Sequence, residues 1–169
     1  MKKILMILTL VAISEIALAQ HSAGDMNLNV GIGLGNTLVA GDQSVPPIGA
    51  SFEYGIKDNI SVGGFLGYTA SDIAIVDWKY SYTIIGLRGS YHLDLLNNEK
   101  IDTYGGAMLG YYLLNVDYGN TGFTTGGAAG AVAYTIYVGG RYAFTDNVGA
   151  FAELGYGIAF LQLGANLKF

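Results

Sequence analysis

A chain of 169 residues with 51% apolar side chains, 12% charged ones and a net charge of −5 is poorly equipped to cover a soluble surface, where about 25% charged residues are usual. Its acidity argues against a nucleic-acid partner, which needs a basic stripe. With no Cys, a disulfide framework, a thiolate metal centre and a lipid anchor on a thiol are all excluded.

The chain opens on Met1, Lys2 and Lys3, continues through the apolar run 4–12, and reaches Ala17, Leu18 and Ala19 before Gln20. A basic start, an apolar middle and a small-x-small end predict a secretory signal peptide over 1–19, cleaved after Ala19. As a membrane anchor the segment is short and interrupted by Glu15. Residues 20–169 then read as one domain, and no stretch in them approaches the roughly 20 apolar residues of a membrane helix.

The pattern that replaces helical periodicity is alternation, which places successive side chains on opposite faces of a strand, though the fourth and fifth strands carry apolar residues on both faces and leave their register open. Eight strands are predicted. The first, 25–35, sets Met26, Leu28, Val30, Ile32 and Leu34 against Asn27, Asn29 and three glycines. The second and third, 47–57 and 60–69, flank a tight turn at Asp58 and Asn59, residue types that favour turns. The fourth, 79–93, sets Ile85, Leu87, Tyr91 and Leu93 against Ile84, Arg88, Ser90 and His92. The fifth, 101–115, sets Ala107, Leu109, Tyr111 and Leu113 against Tyr104, Met108 and Tyr112. The sixth and seventh, 131–144 and 148–157, are joined through Thr145, Asp146 and Asn147. The eighth, 160–169, has Leu161, Leu163, Ala165, Leu167 and Phe169 on one face and Gln162, Asn166 and Lys168 on the other, where Asn27 and Asn29 are the expected neighbours if it closes on the first.

Short connections alternate with longer ones near 36–46, 70–78 and 116–130, apart from a short last one near 157–159. Short turns on one side and long loops on the other are the habit of outer-membrane barrels. The continuous apolar faces suit lipid, while glycine, serine and asparagine, interrupted by a few charged residues, suit the narrow interior of an eight-stranded barrel. Tyr68, Tyr111, Tyr134 and Tyr156 gather toward the loop ends, and Tyr91, Tyr142, Phe144 and Phe169 toward the turn ends, as two interfacial girdles would. The expected fold is therefore an all-β, eight-stranded, antiparallel, up-and-down transmembrane barrel in the outer membrane of a Gram-negative cell.

On the signal peptide, the glycine–aromatic alternation, the turn 141–147 and the terminal strand ending in Phe169, the chain resembles the small outer-membrane barrels of the OmpX/OmpA-like superfamily, and its short turns resemble Bacteroidetes-type members. The resemblance implies that Phe169, with Leu167, Ala165 and Leu163, is the signal read by the barrel-assembly machinery. The shared motifs are architectural and carry no reaction, and with the barrel strand as the last element no peptidoglycan-binding domain is expected.

Inward-facing ionisable residues are expected at Glu53, Lys57, Arg88, His92, Arg141, Glu153 and Lys168. Because a buried charge needs a partner, Glu53, Arg88, Arg141 and Glu153 are read as an interior network, with Arg141 and Glu153 as neighbours across the sixth and seventh strands. His92 and His21 are the only histidines, and neither is placed beside a rim serine as an esterase would require. Asp42, Asp72, Asp77 and Asp117 are read as solvated loop acids. The run Gly31, Gly33 and Gly35 lacks the following helix of a phosphate site. No catalytic, cofactor or metal site is expected. The expected role is structural or one of surface contact, through loops carrying Asp77, Trp78 and Phe123, with lipids and lipopolysaccharide as surroundings and a monomer as the state. A narrow channel is the alternative, followed by a lipid-modifying enzyme and a soluble ligand-binding barrel.

Overall fold

A computed structural model describes residues 21–35, 42–73, 78–117 and 127–169. The expected signal peptide 1–19, Asp77 and Phe123 lie outside the described residues. The strands are β1 (Met26–Leu34), β2 (Asp42–Lys57), β3 (Ile60–Ile73), β4 (Trp78–Leu93), β5 (Ile101–Asp117), β6 (Gly127–Ala143), β7 (Val148–Gly155) and β8 (Leu161–Lys168). Each runs antiparallel to the next, and β8 pairs with β1, so the sheet closes and leaves no unpaired edge. Among the described residues no helix is long and apolar enough to cross a membrane.

Two groups of strand ends depart from the sequence reading. β2 begins at Asp42, β3 continues to Ile73, β5 to Asp117, and β6 begins at Gly127. Apolar alternation fades in these extensions, but the ladder continues because each neighbour supplies partners, as in the row Asp72, Lys79 and Asp117. Asp42, Asp72 and Asp117 therefore stand on strands and not in loops, and Asp72 accepts a hydrogen bond from Ser44 Oγ at 3.0 Å. The β2–β3 register shifts twice near Pro46 and Pro47, which have no N–H to donate. Conversely β7 stops at Gly155 and β8 starts at Leu161. The loop between them turns inward, tied by Gly155 N donating to Phe160 O at 3.0 Å and Tyr156 N to Ile136 O at 3.1 Å. The wall is tall along β2–β6 and low along β7, β8 and β1.

The barrel is apolar outside. Leu87 is 77% exposed, and Ile136 (71%), Leu109 and Leu66 lie on the same outer surface. Buried positions hold Glu53, Arg88, Arg141, Asn29, Ser61 and Ser90 instead. The eight girdle aromatics named from the sequence are all exposed.

The interior glycines follow from the size of the neighbouring side chains. Gly164, Gly31, Gly49 and Gly67 pair in one row across β8, β1, β2 and β3. The rings of Phe65 and Phe151 lie over that row. A Cβ at Gly49 would stand 2.9 Å from Phe65, and one at Gly164 would stand 2.8 Å from Phe151. Such approaches are tighter than packed atoms tolerate, so large interior side chains require this flat wall.

Candidate functional site: the sealed interior

From the turn end inward, the barrel holds three layers. The first comprises His21, Asn27, Asn166, Ser61, His92 and Asp102, all buried. Asn166 Nδ2 donates to Asn27 Oδ1 at 3.2 Å and to Asn29 Oδ1 at 2.9 Å, tying β8 to β1 from inside. Lys57 is exposed at its turn, and Lys168 pairs with Asp25 at 2.8 Å, so neither belongs to the interior charge cluster.

The second layer is that cluster. Glu53, 1% exposed, takes Arg88 Nε at 2.6 Å through one carboxylate oxygen and Arg141 Nη2 through the other. Arg88 Nη2 reaches Glu153 at 2.7 Å, and Arg141 Nη1 reaches Asp102 at 2.9 Å. Ser90 Oγ donates to Glu53 at 3.0 Å, and Tyr104 OH to Glu153 at 3.2 Å. The guanidinium of Arg88 lies 4.0 Å over the Tyr137 ring, and that of Arg141 lies 4.3 Å over Tyr104. Every charge is thus opposed and hydrogen-bonded, the condition for holding charges away from water.

One expected pairing is overturned. Arg141 and Glu153 are not partners: Arg141 stands opposite Phe151, and Glu153 opposite Gly139. The offset moves them to different heights, and each long side chain crosses the lumen instead, Arg88 from β4 to β7 and Arg141 from β6 to β2, while Arg141 also pairs with Asp102 directly opposite it on the neighbouring β5. The reading also missed Asp102, Tyr104 and Tyr137 as members. Asp102 sits two residues before Tyr104, hence on the same inward face, and that spacing was signal enough.

Ser61 Oγ lies 2.9 Å from His92 Nε2, and His92 Nδ1 lies 2.8 Å from Asp102 Oδ1. The order of atoms is that of a serine–histidine–aspartate relay. Yet Ser61 is 0% exposed, and its hydroxyl also faces Glu53 at 3.4 Å. In this arrangement the trio is closed off from solvent and tied into the interior hydrogen-bond network.

The third layer is an apolar stopper of Phe65, Ile84, Met108, Ile158 and Ala159, the last two carried by the inward loop between β7 and β8. Below it lies a cavity of about 30 Å³ lined by Arg88, Thr135, Glu153 and Gln162. That is room for about one water molecule. Gln162 Nε2 and Thr135 Oγ1, otherwise without partners, line it. A second cavity, beside Asn27 and Arg141 at the turn end, is about 20 Å³. Among the described residues no group of histidines and carboxylates is arranged to hold a metal ion.

No protein-family model matches the chain, and no curated protein does either. Solved structures do. OprG from Pseudomonas aeruginosa superposes with a TM-score of 0.65 at 14% identity, covering 90% of this chain and 99% of that one. The N-terminal barrel domain of Pseudomonas aeruginosa OprF gives 0.61 at 18% identity, covering 88% and 100%. Ail, the attachment invasion locus protein of Yersinia pestis, gives 0.57 at 14% identity, covering 87% and 99%, and is also solved with the heparin analogue sucrose octasulfate. The chain therefore has the fold of the small eight-stranded barrels of Gram-negative outer membranes, consistent with an OmpX/OmpA-like barrel. At these identities the likeness is one of fold.

Proposed function

We propose that the protein is an integral outer-membrane barrel, exported with cleavage after Ala19, whose task is structural or exercised at its loop end and not through its lumen. The observation that carries this is the filled interior among the described residues: a closed ion-pair layer, an apolar stopper above it, and two small cavities of about 30 and 20 Å³. The apolar outer wall between two aromatic girdles supports the bilayer placement. Lipids and lipopolysaccharide are the proposed surroundings of that wall. The outward face of the last strand, Leu163, Ala165, Leu167 and Phe169, is the proposed mark for the barrel-assembly machinery.

Charge narrows the partners at the loop end. The stretches 35–47, 69–83 and 111–134 carry Asp42, Asp72, Asp77 and Asp117 against Lys79 alone. A sulfated polyanion of the kind solved on Ail would be repelled there, so a neutral or cationic surface suits this rim better.

Planar-bilayer recording of the purified protein, with folding checked by heat-modifiable gel mobility, tests the proposal. The native chain should give no steady single-channel steps, and the pair Phe65→Ala with Ile158→Ala, which removes the stopper, should give more leak. Uniform steps from the native chain would overturn the sealed-lumen reading.

A further inference from the structure

The segment before β1 folds back over the turn end as a strap. Gly24 N donates to Gly55 O at 2.8 Å, and Gly55 N to Asp25 O at 2.8 Å. Ala23 N reaches Asp58 Oδ1 at 3.1 Å, and Asp25 is held by Lys168 at 2.8 Å. The strap inserts His21 into the barrel mouth. Its ring stacks on His92 with centroids 3.8 Å apart and planes 9° from parallel. A Cβ on Gly55 would come within 2.8 Å of that ring, so the glycine makes room for it. Yet His21 is only 7% exposed, and neither of its ring nitrogens has a hydrogen-bond partner. A neutral imidazole buried this way forgoes both of its hydrogen bonds, and a charged one has no acceptor waiting.

We infer that the strap is an acid-sensitive stopper: a proton on His21, whose buried ring is stacked on His92 and has no acceptor in the mouth, expels residues 21–25. The charged groups around the mouth are already engaged with one another. β2 presents Glu53, β4 presents Arg88, β5 presents Asp102, β6 presents Arg141 and β7 presents Glu153, three carboxylates against two guanidinium groups. At the strap itself Asp25 is held by Lys168 and Asp58 accepts from Ala23 N, and cleavage after Ala19 would add the α-amino group of Gln20, which His21→Phe leaves in place. Tyr104 and Tyr137 add no charge while protonated. Asp102, beside the stacked rings, is already engaged by His92 Nδ1 and by Arg141 Nη1. A protonated His21 would lie against the face of the His92 ring, with Arg141 close by and no acceptor of its own. Burial and the neighbouring His92 accordingly hold the pKa of His21 below its ordinary value. Expulsion removes the repulsion at the cost of a few exposed backbone hydrogen bonds, and it uncovers Gly55 and His92.

The test is spin-label mobility at Ala23→Cys, an exposed position in a chain that lacks any other cysteine, in phospholipid nanodiscs from about pH 8 to about pH 5. That window crosses the histidine range and stays above the ordinary carboxylate range. The label should be ordered at the upper end and show a growing mobile fraction toward the lower end. His21→Phe, which keeps the stacked ring and cannot be protonated, should stay ordered throughout. His21→Ala, which removes the ring, should be mobile at every pH. An unchanged line shape in the native sequence, or an acid transition in His21→Phe equal to the native one, would overturn the inference.

Discussion

Replacing Glu53 by Leu tests whether the interior cluster holds the barrel together or merely fills it. Glu53 is the one carboxylate shared by both guanidinium groups, and the side chains of Arg88 and Arg141 are only 2% and 4% exposed. The fixed charges left behind, Arg88 with Glu153 and Arg141 with Asp102, sum to zero, so no gross imbalance follows. The cost instead comes from one N–H of each guanidinium losing its charged acceptor in a place water cannot reach. Removing one partner of a buried ion pair costs about 3–5 kcal/mol. Arg88 Nε can still donate to Tyr137 OH, 3.1 Å away, so the lower end, about 3 kcal/mol, is expected. With a urea slope of about 1–3 kcal/mol per molar, the unfolding midpoint should fall by roughly 1–3 M. The single tryptophan, Trp78, is a built-in fluorescence reporter for urea unfolding in lipid vesicles. The double variant Glu53→Leu with Arg141→Leu should be less destabilised than the sum of the single changes, by about 1–3 kcal/mol, because it leaves fewer stranded donors. A loss below about 1 kcal/mol for Glu53→Leu with an unchanged slope, or strict additivity, would refute a load carried by these pairs.

Three further outcomes are expected. Gly63 and Gly64 are adjacent but face opposite ways: a Cβ on Gly63 would collide with the backbone of Phe52 and Glu53, whereas the nearest atom to one on Gly64 is 3.7 Å away. Gly63→Ala should destabilise by about 1–3 kcal/mol and Gly64→Ala should be near neutral, as read from heat-modifiable gel mobility; equal effects would mean that the register is wrong. Leu87→Lys on the outer wall should cost about 2–4 kcal/mol in lipid vesicles and almost nothing if that wall faced water, which makes it a direct assay of the bilayer placement. Phe169→Ala should refold from urea into vesicles at close to the native yield yet accumulate unassembled in cells; normal assembly in cells would remove the proposed signal role.

The difference between what the sequence showed and what it hid follows from the geometry of a closed sheet. Alternation has a period of two, so Leu87 outward and Arg88 inward could be read from neighbouring letters alone, and the same holds for every residue of β8. Closure was legible too, because Asn27 and Asn29 match Asn166 in character, and they are bonded to it. Pairing across the lumen has no such local rule. Arg88 meets Glu153 from three strands away, and Arg141 meets Glu53 from four, so adjacency in the sheet misdirected Arg141 toward Glu153. An interior side chain as long as arginine is a bridge across the barrel, and its partner depends on strand tilt and height, which alternation does not encode. The glycines carry part of the missing information. Gly106 lies beneath the Tyr137 ring, and Gly139 beneath that of Tyr104, the two rings on which the guanidinium groups rest. An inward glycine is therefore as telling as an inward charge, because it marks where a large side chain rooted on another strand comes to lie.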